Sequence, residues 1–114
     1  MRKFNKETVE RINSFLKAHA KKCAYCGKPF LFGEGKTIDH ISPQSRGLDE
    51  SAKNKVVCCQ DCNSRKSDVS LKDFRKQFNK ENMLSYLEDF GDIQLPTGEL
   101  YSHCIKKRLH LLDS

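Results

Sequence analysis

The chain has 114 residues and carries 21 Lys and Arg against 15 Asp and Glu, for a formal charge of +6 and a pI of about 9.1. That length suits one small domain in need of a staple, and the charge favours attraction to phosphate backbones without requiring it. No apolar run approaches the roughly 18 residues of a membrane span, and residues 1–22 are charged throughout, which argues against a secreted disulfide scaffold and leads to the expectation of reduced cysteines in a soluble, cytoplasmic protein.

Val9, Ile12 and Leu16 recur at three- and four-residue steps with Lys and Arg between them. This predicts an amphipathic helix over about 6–22 with Asn5 as its N-cap. From Cys23 to Gly35 the pattern breaks into Cys, Gly and Pro, a turn-rich stretch. Lys36 to Ile41 reads as a short strand, Ser42 to Asn54 as a polar loop with Pro43 and Gly47, and Val56 to Cys59 as a second strand. A short helix is expected from about Asp61, and another over Leu71 to Phe78 with Leu71, Phe74 and Phe78 on one face. Met83, Leu84, Leu87 and Phe90 predict a further helix. After a break at Pro96-Thr97-Gly98, Tyr101, Ile105, Leu109 and Leu112 predict the last one. The organisation read from this pattern is one domain: an N-terminal helix, a core over about 23–68 and a C-terminal helical extension over about 69–114 that packs back on it.

Cys23-Ala-Tyr-Cys26 and Cys59-Gln-Asp-Cys62 are two Cys-x-x-Cys pairs, each short enough to turn both sulfurs toward one ion. Four thiolates complete a tetrahedron and leave no open position, so the ion is expected to be structural zinc. Cys58 also has a permitted spacing to Cys62; Cys59 is preferred because it reproduces the spacing of the first pair. Cys104 falls on the apolar face of the last helix and reads as core. His19, His103 and His110 lie on helical segments outside the motif.

Between and beside the knuckles stand Asp39, His40, Asn54 and Asn63. Phosphodiester cleavage needs a base to activate water and a cation to offset charge on the phosphate and leaving oxygen. A histidine, with an unperturbed pKa near 6.5, can accept a proton at neutral pH. Asp39 and Asn63 offer the oxygen ligands that a hard ion such as Mg²⁺ prefers. Adjacent strand residues point to opposite faces, so if Asp39 and His40 are to face one phosphate, the strand has to end, bend or bulge there.

Ile38-Asp39-His40-Ile41-Ser42-Pro43, then Asn54-Lys55-Val56-Val57, then Cys59-x-x-Cys62-Asn63-Ser64-Arg65-Lys66 together resemble the HNH endonuclease pattern. The runs Asp39-His40-Ile41-x-Pro43-Gln44-Ser45 and Asn63-x-x-Lys66-Ser67-Asp68 are also similar to the HNH domain of RNA-guided CRISPR nucleases. The resemblance covers Cys23 to Asp68 and implies a small α+β fold: a ββα-metal motif stapled by the four-cysteine zinc site and flanked by the helices predicted above. It implies His40 as general base and Asp39 and Asn63 as ligands of one catalytic Mg²⁺ or Mn²⁺. Asn54 would brace the loop and orient His40. Asn63 stands where one form of the motif ends in histidine, which makes a soft catalytic metal less suitable.

The expected function is metal-dependent cleavage of DNA, nicking with low sequence specificity. Arg65 and Lys66 near a helix N-terminus, and Arg46 and Lys53 on the loop, would hold backbone phosphates. A homodimer or a phage packaging partner is not readable, and a phage or mobile-element setting rests on analogy alone. The rival readings are a non-catalytic zinc module that binds nucleic acid and a zinc domain that binds protein through its C-terminal helices.

Overall fold

The computed structural model describes residues 5–31, 35–41, 50–66, 79–95 and 98–112, save for the side chains of residues 65 and 66. The predicted helix over 71–78, most of the 42–54 loop with Arg46, and Pro96 and Thr97 of the predicted break lie outside the described residues.

Helix α1, Lys6–His19, opens on Asn5, whose Oδ1 accepts from the Thr8 N–H at 2.7 Å. This satisfies one of the donors that a first helical turn leaves open. The helix stops at His19 and not at residue 22. There Ala20 turns extended, and the chain folds back so that Lys22 bridges to Pro29 and the Phe30 N–H donates to Lys21 O.

Strands β1, Lys36–His40, and β2, Lys55–Cys59, form a two-stranded antiparallel sheet in which Lys36 pairs with Cys59 and His40 with Lys55. The pairing is regular along its whole length, so side chains alternate between two faces. Thr37 and Asp39 share one face with Val56 and Cys58. Lys36, Ile38 and His40 share the other with Lys55 and Val57. Two lysines tie that second face to α1: Lys36 Nζ donates to Lys17 O at 2.6 Å, and Lys55 Nζ donates to Asn13 Oδ1 at 2.8 Å. Helix α2, Gln60–Lys66, follows β2 without a connecting residue. It reaches the first face, where Asn63 Nδ2 donates to Thr37 Oγ1 at 3.1 Å.

An exposed strand edge invites pairing with another chain, and here the outer edge of β2 is covered. The Ala24 N–H donates to Val57 O at 3.0 Å. Beyond it stand two buried tyrosines, Tyr86 from helix α3, Lys80–Glu88, and Tyr101 from helix α4, Tyr101–Arg108. Tyr101 Oη donates to Lys55 O at 2.7 Å, and Tyr86 Oη accepts from the Val57 N–H at 2.9 Å. A carbonyl only accepts, so the Tyr101 proton goes to Lys55 and the bond between the two hydroxyls, 2.9 Å, must run from Tyr86 to Tyr101. Every polar group in this clasp is thereby paired. Replacing Tyr86 by Phe leaves a buried N–H without its acceptor, and the expected cost is about 1–3 kcal/mol, read in urea or thermal unfolding.

The core joins Leu16, Val56, Val57, Met83, Leu87, Phe90, Ile105 and Leu109. Helix α4 ends sooner than its apolar period suggests. His110 adopts a left-handed φ of 59°, the His110 N–H donates to Lys107 O and the Leu111 N–H returns to Lys106 O. That is a helix stop of the kind glycine usually makes, and it leaves Leu112 exposed outside the core. The hairpin, the helix that follows it, and the flanking α1, α3 and α4 make a small α+β fold. Among the described residues no helix is long and apolar enough to cross a membrane.

Candidate functional site

The first knuckle is shaped by its own backbone. The Cys23 N–H donates to Lys28 O at 2.8 Å and the Gly27 N–H returns to Cys23 O at 3.0 Å, closing a tight loop around the sulfurs. Gly27 takes a φ of +76°, and a Cβ there would come within 2.8 Å of Asn82 Oδ1 on α3. Glycine meets both demands. Asn82 uses the close approach to donate its Nδ2 to Tyr25 O at 2.9 Å, while Lys22 Nζ donates to Ser85 Oγ at 2.8 Å. Helix α3 thus holds the knuckle from outside.

The second knuckle is the end of β2 and the first turn of α2. The Sγ atoms of Cys23, Cys26, Cys59 and Cys62 lie within 4.8 Å of one another, with Cys26 and Cys59 at 3.9 Å. Zinc–sulfur bonds of about 2.3 Å in a tetrahedron place sulfurs roughly 3.8 Å apart. The cluster therefore has the donor type, number and spacing of a structural zinc site, and its sulfurs stand far beyond the roughly 2.05 Å of a disulfide. Cys23, the buried member, accepts N–H groups from Tyr25, Cys26 and Cys59 at 3.3–3.5 Å. Such donors suit a thiolate better than a thiol. Cys58 points the other way, into the sheet face, where its Sγ lies 3.4 Å from Thr37 Oγ1 and burial pushes its pKa up to about 12. Of the two spacings open in the sequence, the one through Cys59 is the one that gathers four sulfurs.

On the face of the sheet toward α2, Asp39 is almost fully buried. Its Oδ2 accepts a short hydrogen bond from the Tyr25 hydroxyl. Burial, and then the Asp39 charge, push the Tyr25 phenol well above its ordinary range, so it stays a donor. Two residues back on the same face, Thr37 Oγ1 donates to Cys58 O at 3.0 Å and accepts from Asn63 Nδ2. That bond uses the amide nitrogen of Asn63 and not its oxygen.

His40, the last residue of β1, points to the opposite face, where its Nε2 meets Glu50 Oε1 in a short contact. Pairing is regular through His40. The strand ends there, one residue before the predicted end, with no bulge to turn Asp39 and His40 onto one face. Asn54 is fully buried in the 3-10 turn Ala52–Asn54, and its carbonyl accepts the N–H of Ile41, the residue after His40, at 2.7 Å. It braces the end of β1 through its backbone.

The predicted phosphate contacts are differently disposed. Arg65 and Lys66 occupy the final two positions of α2, not its N-terminal turn, because the helix starts at Gln60 directly from the strand. Lys53 is exposed on the 3-10 turn and pairs with Glu99 at 3.5 Å. Three partners escaped the sequence reading: Tyr25, Thr37 and Glu50. Only Tyr25 carried a signal, an aromatic hydroxyl inside a metal knuckle.

The sequence from the first knuckle through α2 matches a known family: residues 23–69 fit the family model "HNH endonuclease". No curated protein matches the chain. The match begins on the first cysteine of the cluster and contains both strands, α2 and all four sulfurs, which marks a nuclease-type or nucleic-acid-related function built around a zinc site. Residues 23–69 are thus similar to the HNH endonuclease family, and their four gathered sulfurs and their hairpin followed by a helix are consistent with its zinc-binding, ββα-metal form.

Proposed function

We propose that the protein is a metal-dependent DNA endonuclease that nicks phosphodiester bonds with low sequence specificity, all of its 114 residues acting as one nuclease unit. The observation that carries the reading is the disposition of Asp39, Asn63 and His40 around the end of one hairpin, inside the matched segment. Asp39 and Asn63 would hold a hard divalent cation such as Mg²⁺ or Mn²⁺. A carboxylate has about four lone-pair sites, so accepting from Tyr25 at one of them leaves Asp39 able to hold a cation. With Asn63 bonded to Thr37 through nitrogen, its oxygen is the atom suited to a metal. When bound, the cation supplies positive charge at the phosphate and at the departing 3′ oxygen.

His40 takes a proton from water as the water oxygen bonds to phosphorus, the bond from phosphorus to O3′ breaks, and O3′ leaves and takes a proton from solvent water to become a hydroxyl, while His40 returns its own proton to solvent. The products carry 5′-phosphate and 3′-hydroxyl ends. Displacement at phosphorus runs in line, with nucleophile and leaving oxygen on opposite sides. Because β1 ends at His40, a phosphate seated beyond the strand end would have the base on one side and the oxygen ligands on the other, as that requirement asks. Arg65 and Lys66, on the helix that bears Asn63, would bind flanking phosphates.

Nicking of supercoiled plasmid with Mg²⁺ or Mn²⁺, by the parent and by His40→Ala, tests the reading. Binding to plasmid without any metal-dependent nicking points instead to a non-catalytic nucleic-acid module. Tyr25 supplies a finer test. Hydrogen-bond partners of metal-ligating carboxylates typically contribute 10–100-fold to metal affinity. Tyr25→Phe keeps the ring and its packing, so it is expected to weaken Mn²⁺ binding by about that factor in an EPR titration while the zinc content is unchanged.

A further inference from the structure

The resemblance gives Glu50 no role, yet Glu50 is the residue that meets His40 Nε2. The same carboxylate oxygen lies 3.5 Å from the Nζ of Lys55, the residue paired with His40 across the sheet. Lys55 is fully buried, and its Nζ also donates to Asn13 Oδ1 on α1 at 2.8 Å. On this face His40, Glu50 and Lys55 form one chain that reaches the amide of Asn13, while Lys36, further along the strand, bonds to Lys17 O.

A buried ion pair is a weak device for stability, because an apolar pair of similar size usually serves as well without the desolvation cost. What the ionic version adds is direction. A carboxylate only accepts, so a neutral His40 facing Glu50 through Nε2 carries its proton on Nε2 and its lone pair on Nδ1. That acceptor favours one tautomer and one flip of the ring. Lys55 in turn fixes the carboxylate and offsets its charge. Burial raises the Glu50 carboxyl, but the His40 hydrogen bond and the Lys55 charge outweigh it and hold the group below its ordinary range, so it is ionised at neutral pH.

We propose that Glu50 is the positioning residue for His40, locking the imidazole in the Nε2-protonated tautomer so that Nδ1 is the nitrogen that takes the proton, with Lys55 and Asn13 bracing the carboxylate. The proposal rests on His40 being the general base. Its test separates the two, because the tautomer can be read without cleavage.

The zinc-loaded full chain labelled with ¹⁵N-histidine reports the tautomer of His40 by long-range ¹H–¹⁵N correlation, the His40 signals being assigned by their loss in His40→Ala. The parent is expected to show the Nε2-protonated form. Glu50→Leu combined with Lys55→Met removes both charges together, so that neither is left buried alone. This variant is expected to keep its zinc and its cooperative unfolding, to lose the single tautomer, and to drop kcat about 10²-fold at little-changed KM, the scale of a misplaced catalytic group. Glu50→Gln combined with Lys55→Met keeps an acceptor oxygen in place, again leaves no charge buried alone, and is expected to recover most of the rate; it also serves if the Leu and Met double variant does not fold. An Nδ1-protonated His40 in the parent, or an unchanged kcat in the folded Leu and Met double variant, overturns the proposal. Full cleavage by His40→Ala together with the expected tautomer overturns the base assignment and leaves the positioning role standing.

Discussion

Replacing Cys23 by Ser is expected to unfold the segment that carries Asp39, His40 and Asn63. Cys23 is the buried member of the sulfur cluster and the one toward which three backbone N–H groups point, two from its own knuckle and one from Cys59 at the end of β2. The strand pair is only five residues long, and a two-stranded sheet of that size is not stable by itself in water. The cluster ties it to the knuckle and to α2, beside the few hydrogen bonds from Ala24, Tyr25 and Asn63. Structural zinc contributes roughly 10–16 kcal/mol in small zinc-folded peptides, as much as or more than the whole net stability of an ordinary domain, about 5–15 kcal/mol. Loss of one ligand therefore removes more than the remaining core can supply. The expected readouts are one equivalent of zinc in the parent by elemental analysis, its loss in Cys23→Ser, and loss of the cooperative thermal transition. A strong chelator should reproduce the effect on the parent. Cys58→Ala, which removes a thiol outside the cluster, should keep the full equivalent. Folded, active parent protein holding well under one equivalent would sink the zinc assignment.

The contrast between Cys58 and Cys59 shows where sequence reasoning reaches and where it stops. Two short cysteine pairs make a metal cluster legible because the spacing itself dictates that both sulfurs of a pair turn one way. Which neighbour joins depends on strand register, and register is set by the other strand: Thr37 opposes Cys58 and Lys36 opposes Cys59. The helical faces were legible for the same local reason, through a period of about 3.6 residues, whereas the strands read only as short segments and their pairing came from the family resemblance. The end of α4 was not. Periodicity continued to Leu112, while the chain stopped on a histidine in a left-handed conformation that no sequence signal announces. The tyrosine clasp was equally hidden: Tyr101 read as part of the apolar face of the last helix and Tyr86 did not stand out at all, but their hydroxyls answer backbone groups 46 and 29 residues away. In the candidate site, Asp39, His40, Asn54 and Asn63 stood out by residue type. Their partners Tyr25, Thr37 and Glu50 did not, since a hydroxyl or a loop carboxylate acquires meaning only once folding sets it against a neighbour.

His40→Ala is expected to lower nicking by about 10² to 10⁴, the usual contribution of a positioned general base, or roughly 2.7–5.5 kcal/mol of transition-state stabilisation. The same change should spare the fold. His40 is at the exposed end of β1 with about a fifth of its side chain accessible, and its removal leaves Glu50 still facing Lys55, so no buried charge is stranded. It should also spare binding, because the proposed phosphate contacts are cations on α2, and backbone phosphates dominate affinity for duplex DNA. The discriminating measurement is therefore paired: plasmid nicking at saturating Mg²⁺ or Mn²⁺, and duplex affinity by gel shift at a fixed salt concentration. A large fall in the first with little change in the second assigns His40 to the chemical step. Equal falls in both would mean that the imidazole contributes to binding or to the fold. Cleavage at the parental rate by His40→Ala protein free of contaminating nuclease would remove His40 from the mechanism, and the oxygen ligands on the opposite face of the strand would then have to work with a base from elsewhere in the chain.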